Sequence, residues 1–148
     1  EGVEKSCLMA VLPTYNQKGV ALLDVGANAE NTPEQLHDFA IMGHIYAKNI
    51  RGIASPKVAL LNIGTENKKG DEVHQKAYQL LESENKIDFI GNIEGRDILK
   101  GDCDVIVTDG FSGNIALKTC EGAASILMKM IKESMMSSLS GKIGDIVC

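Results

Sequence analysis

Short apolar runs that end in small polar residues recur along this chain, with helix-period segments between them, and that alternation restricts its fold more than any other feature. Residues 8–12, 19–25, 58–63, 87–90 and 103–107 read as strands. Thr32-Pro33-Glu34-Gln35 opens a helix in full, with Thr as N-cap, Pro at the first helical position and Gln closing a capping box. Leu36, Phe39, Ala40, Gly43, Tyr46, Ala47 and Ile50 line one face of it, Gly52 is placed to end it, and Pro56 bars its continuation. A second helix turns Val73, Ala77, Leu80 and Leu81 inward. A third carries Cys120, Ala123, Leu127 and Met130 at steps of three and four, widened by Ile126 and Ile131. The order of elements predicts an α/β fold over residues 1–148 as one domain, with a mostly parallel sheet, helices on both faces and right-handed crossovers.

Charge and cysteine usage exclude several classes. The net charge of −5, with Lys68-Lys69 the only adjacent basic pair, argues against nucleic acid as a partner. Cys7, Cys103, Cys120 and Cys148 lack zinc or thioredoxin spacing, so reduced cytosolic thiols are expected. No apolar run approaches the roughly 20 residues of a membrane span, and no signal-peptide pattern opens the chain. Glu1 at the start and the abrupt finish at Cys148 suggest a piece of a longer protein.

The chemistry gathers at the strand ends. Each strand after the first closes in small polar residues: Asp24 to Asn28, Asn62 to Gly64, Gly91 to Arg96, and Asp109 to Asn114. In a parallel sheet these loops share the carboxyl edge, where α/β proteins bind ligands. The inventory there is Asp24, Asn28, Asn62, Asn92, Glu94, Arg96, Asp109, Ser112, Asn114 and Lys118, with many backbone amides. That set suits an oxyanion such as phosphate, held by N–H groups and one or two cations. Asp109-Gly110-Phe111-Ser112-Gly113-Asn114 in particular reads as a loop opening onto a helix N-terminus, the usual seat of an anion.

Other motifs fall away. Gly64 to Asp71 lacks the P-loop spacing, and no G-x-G-x-x-G follows a strand. Gly110-Phe111-Ser112-Gly113 is one residue short of a nucleophile elbow. His37, His44 and His74 fall in helices away from the strand ends, and no metal or cofactor is expected. Attack of inorganic phosphate on a thioester needs neither. Phosphate is already a nucleophile near neutral pH, and a thiolate, from a thiol of pKa about 8.5, is a tolerable leaving group. Positioning and oxyanion stabilisation then do most of the work.

Four ordered segments resemble the bacterial phosphate acyltransferase family, PlsX. They are Leu22-Leu23-Asp24-Val25-Gly26-Ala27-Asn28, Leu60-Leu61-Asn62-Ile63-Gly64, Phe89 through Ile98, and Asp109 through Lys118. The resemblance implies a transferase that moves a fatty acyl group from acyl carrier protein to inorganic phosphate, giving acyl phosphate for phospholipid synthesis. It also implies a fold related to phosphotransacetylase and the isocitrate and isopropylmalate dehydrogenases, a homodimer, and cytoplasmic placement with peripheral contact at the inner face of the membrane. On that reading the Ser112, Gly113 and Asn114 amides and Lys118 meet phosphate. Asp109, Asn28 and Asn92 orient it, Asn62 lines the site, and Arg96 serves phosphate or the acidic carrier. The alternatives are a short-chain phosphotransacylase using a coenzyme A thioester, and a non-catalytic core.

The departures carry expectations too. Family members run to about twice this length, with strands before this region and a His-Gly segment after it that have no counterpart here. Lys5-Ser6 stands where the family usually carries Arg-Pro. The long helix is expected to stop or lose its packing partner in the Ser-, Met- and Gly-rich stretch from Ser134 to Gly144. Met128, Met130, Met135 and Met136 suit a core or dimer stripe, or else a membrane or partner face.

Overall fold

The computed structural model describes the backbone of residues 6–26 and 28–147, with side chains as far as residue 141. Lys5, Ala27 and Cys148 lie outside the described residues. Two compact units divide the chain, Glu1–Ala116 and Leu117–Cys148.

The first unit is built on a five-stranded sheet. Its strands are β1 (Met9–Leu12), β2 (Val20–Leu23), β3 (Lys57–Leu61), β4 (Asp88–Ile93) and β5 (Val105–Val107), in the order β1-β2-β5-β3-β4. β2, β5, β3 and β4 run parallel, as the alternation predicts, and β1 adds an antiparallel edge with Met9 opposite Leu23. The four parallel strands therefore send their C-terminal ends to one edge. β4 is longer than the sequence suggests, because Gly91, Asn92 and Ile93 belong to the strand and not to a loop after it. Val58 pairs with Phe89 and Ala59 with Gly91, so Ile90 is the extra residue of a bulge. Gly91 sits beside it at φ +102°, a conformation that glycine supplies without steric cost.

α1 (Pro33–Asn49) starts at the predicted capping box. The Thr32 hydroxyl accepts the Gln35 N–H at 3.1 Å, and the Gln35 amide oxygen accepts the Thr32 N–H at 2.9 Å. α2 (Glu72–Glu82) is capped by Asp71, which accepts the His74 N–H at 2.9 Å. Leu36, Phe39, Ala40 and Ala47 of α1 join Ala77 and Leu81 of α2 over Leu23, Val58, Leu60, Val105 and Val107, forming the core. Each fully buried Leu, Val or Phe there stabilises the fold by about 2 kcal/mol. Leu22, Ala59 and Ile106, on the opposite face of the same strands, are also fully buried, as near-continuous apolar strands in a parallel sheet require. Ile50 does not continue the buried stripe; it caps the helix and is 72% exposed.

α3 (Gly110–Val147) begins two residues after β5. Residues 110–114, read from sequence as a loop, are its first turns. The glycines permit close packing there: a Cβ on Gly110 would lie 1.6 Å from the Asn28 carbonyl oxygen, and one on Gly113 would lie 2.0 Å from that of Asp24. The Ser- and Gly-rich stretch was expected to end α3 or cost it its packing partner; α3 continues through it, since Ser and Gly cost a helix about 1 kcal/mol or less each, and residues 134–141 are exposed.

The second unit is the remainder of α3. Its Met128, Met130, Met135 and Met136 are exposed, as are Ile126, Leu127 and Ile131. Among the described residues no helix is long and apolar enough to cross a membrane. Cys7, Cys103 and Cys120 are free thiols.

Candidate functional site

Asp109 stands at the turn between β5 and α3, and the first-unit site is built around it. Its Oδ2 accepts the Ser112 N–H at 2.9 Å, capping α3. Its Oδ1 faces His74, whose Nε2 is 3.3 Å away, while His74 Nδ1 lies 2.6 Å from Asp71 Oδ1. A histidine thus bridges two carboxylates, one at the start of α2 and one at the start of α3. The Nε2 contact is electrostatic and not an aligned hydrogen bond, because Asp109 Oδ1 receives no bond of acceptable geometry.

The charges reinforce one another. Burial alone would push the Asp109 carboxyl up, but the His74 ring beside it and bonds from the Ser112 N–H and hydroxyl outweigh it and hold the group at about 2. His74 is raised above its ordinary value, chiefly by Asp109, against the opposing effect of burial and with Asp71 adding to the rise. Asp71 is lowered, first by the His74 N–H.

Two cavities meet at this cluster. One, of about 550 Å³, is lined by Ala29, Glu30, Asn31, Asp71, Val73, His74, Asp109, Phe111 and Ser112. The other, of about 380 Å³, is lined by Leu61, Asn62, Ile63, Gly70, Asp71, His74, Gly95 and Ser112. Asp71, His74 and Ser112 form their shared wall. The larger cavity holds three carboxylates, and the smaller is mostly neutral.

The remaining predicted residues fall into separate groups. Asp24, fully buried at the end of β2, accepts the Leu8 N–H at 3.0 Å and the Gly26 and Asn28 N–H groups at 3.2 Å each. The Asn28 side chain donates to Ser6 O at 2.8 Å and reaches Asp24 at 3.4 Å. Asn114 donates to Val25 O at 3.2 Å. These residues bind the β2 end to the first turns of α3. Asn62 donates to Lys69 O at 3.0 Å and to Asn92 Oδ1 at 3.2 Å, and Asn92 donates to Glu66 O at 2.8 Å, so the pair fastens the loop between β3 and α2. Arg96 is exposed on a short 3₁₀ turn and pairs with Glu94 at 3.0 Å. Lys118 is an exposed residue of the second unit. The Ser112 N–H is taken by Asp109 Oδ2, and the Gly113 N–H donates to the Asp109 carbonyl at 2.9 Å.

Sequence reasoning put His74 away from the strand ends, and the structure corrects this by setting it against Asp109 at the end of β5. The available signal was Asp71-x-x-His74, an N-cap and its third residue, directly after the loop that leaves β3. Asn31 was also missed. It is buried, and its side-chain oxygen accepts the Gly110 N–H at 2.9 Å. His37, by contrast, is half-buried and ties α1 to the end of α2 through Glu84 at 2.9 Å.

A mostly parallel sheet with a polar cleft at its carboxyl edge gives the first unit an α/β fold. A solved phosphotransacetylase from Streptococcus pyogenes matches with a TM-score of 0.61 at 18% identity, over 79% of this chain and 41% of that one, a likeness of fold. The family described as "Fatty acid synthesis protein" matches residues 1–148. A phosphate acyltransferase from Geobacillus thermodenitrificans is 50% identical over 96% of this chain, and one from Streptococcus uberis is 54% identical over 91%. The chain belongs to this bacterial phosphate acyltransferase family, PlsX. It spans 43% of the first relative's length and 40% of the second's.

Proposed function

We propose that this chain forms part of an enzyme that transfers a fatty acyl group from acyl carrier protein to inorganic phosphate, yielding acyl phosphate for phospholipid synthesis. The observation that carries this reading is the identity of about half the residues with a phosphate acyltransferase over 96% of the chain. The cleft adds chemical support. It lies where parallel strand ends converge, and it offers an imidazole paired with carboxylates, while the Ser112 hydroxyl bonds Asp109 and, among the described residues, makes no hydrogen bond to His74 that would activate it as a nucleophile. Phosphate as its own nucleophile suits that inventory.

The cavities divide the work. Phosphate, an anion, takes the smaller and mostly neutral cavity beside Asn62 and Ser112, because Glu30 and Asp109 disfavour it in the larger one. The thioester enters the larger cavity along Val73 and Phe111. Asp109, Asn92 and Asn114 act in catalysis, with Asn28, Asn62, Arg96, Ser112 and Gly113 holding substrate or shaping its loops. Arg96, whose head lies in solvent, can meet an acidic carrier protein. The enzyme works in the cytoplasm as a homodimer with peripheral membrane contact, for which the exposed Met128, Met130, Met135 and Met136 provide an apolar surface.

Donor competition tests the reading. The intact protein carrying these residues is given palmitoyl-acyl carrier protein or acetyl-coenzyme A with phosphate, and acyl phosphate is trapped as the hydroxamate. Preference for the carrier-bound long chain supports the proposal. Preference for the short coenzyme A thioester replaces it with a phosphotransacylase, and no product from either overturns acyl transfer to phosphate.

A further inference from the structure

We propose that His74 is the general acid of this reaction, its Nε2–H delivering a proton to the sulfur of the departing thiol. The assignment rests on the acyltransferase reading of the cleft. His74 lies on the wall shared by both cavities, so a phosphate in one and a thioester in the other would meet beside its ring.

The two ring nitrogens are in different situations. Nδ1 is held 2.6 Å from Asp71 Oδ1, and the same oxygen accepts the His74 backbone N–H at 2.9 Å, so ring and helix start are fixed together. That is the orienting carboxylate that a working imidazole requires. Nε2 lies 3.3 Å from Asp109 Oδ1, yet that oxygen receives no aligned bond. The cation is stabilised there while its proton stays available.

Elimination among the lining residues reaches the same group. Among the described residues, no Lys, Arg, Cys or Tyr lines either cavity. Asp109, held at about 2, is ionised and has no proton to give. The charged groups acting on the ring are Asp71 at the N-cap of α2 and Asp109 before α3, both acidic, so each favours the imidazolium, and Glu30 before α1 lines the same larger cavity.

The step balances. An oxygen of the phosphate dianion HPO₄²⁻ bonds to the acyl carbon, and the carbon–sulfur bond breaks with its electron pair on sulfur. The Nε2 proton passes to that sulfur, leaving free thiol and neutral imidazole. The proton remaining on the acyl phosphate then returns to Nε2, directly or through water.

The test uses His74→Gln in the intact protein with two donors, an alkyl thioester and an aryl thioester whose thiolate leaves without a proton. The alkyl rate should fall about 100-fold or more, within the range for general acids. The alkaline limb of its pH profile should vanish, and KM for phosphate should change little. The aryl thioester should recover most of the loss. Wild-type turnover with an unchanged alkyl rate in the variant, or with equal losses on both donors, would overturn the role of His74 alone. Failure of the wild type on both donors would instead remove the acyltransferase reading.

Discussion

Gly113 packs so tightly beneath the Asp24 carbonyl that a Cβ added there would lie 2.0 Å from its oxygen and 2.6 Å from the Thr108 methyl. Backbone meets backbone on one side, so a methyl group cannot be absorbed by a rotamer change. Gly113→Ala should therefore destabilise the first unit by about 3 kcal/mol, the upper part of the range for overpacking. Urea denaturation followed by circular dichroism measures it; a loss below about 0.5 kcal/mol would mean that the α3 start is free to move.

Asp24 makes the same junction from the other side. Its carboxylate accepts N–H groups from Leu8, Gly26 and Asn28. Asp24→Ala leaves those donors without their acceptor, at about 1–3 kcal/mol for each one that stays buried. The expected result is loss of cooperative unfolding or a midpoint far below that of wild type.

The α1 cap is a smaller effect that can be isolated. Thr32→Ala removes the acceptor of the Gln35 N–H and should cost about 1 kcal/mol. Thr32→Ser should restore most of it, and equal losses in both variants would contradict the cap.

Stability should follow pH through the His74 bridge. His74 is raised from 6.5, so its contribution is complete below 6.5 and is lost as pH climbs through the raised value. Asp109 is lowered from 3.8 to about 2, so its contribution is present above 3.8 and is lost as pH falls toward 2. The difference in unfolding free energy between wild type and His74→Gln should thus be larger at pH 5 than at pH 9. A difference independent of pH would show that the ring contributes packing alone.

Cys103 is buried, and burial first, then Asp104 and Asp102, push its thiol up to about 12. It should resist alkylation at pH 8 until the chain unfolds. Peptide mapping after iodoacetamide treatment checks this, and labelling of Cys103 in the folded protein would contradict it.

Local chemistry was legible from sequence where it was sufficient. Thr32, Pro33 and Gln35 specify their cap among themselves, and the apolar runs after the first specify parallel strands. Elements whose cause lies elsewhere in the chain were not. Gly110 and Gly113 carry a loop's composition, yet their role is close approach to Asn28 and Asp24, which lie far earlier in the chain, so a helix start read as a loop. Gly91 marked a strand end in sequence and a bulge in the structure, because the register against β3 decides which it is. Asp109 was picked out by its place at a strand end, whereas His74 was passed over, since only the fold brings residues 35 positions apart to 3.3 Å. Lys118 and Arg96 were chosen for charge, and the structure leaves both exposed.

Acyl-phosphate formation by the intact protein, with Asp109→Ala beside wild type, bears most directly on the proposal that acyl groups pass to phosphate at this carboxyl edge. With palmitoyl-acyl carrier protein and labelled phosphate, wild type should release labelled acyl phosphate, and the variant should retain about 1% of that rate or less, on the scale of lost electrostatic positioning. Undiminished labelling by the variant, or none by wild type, would contradict it.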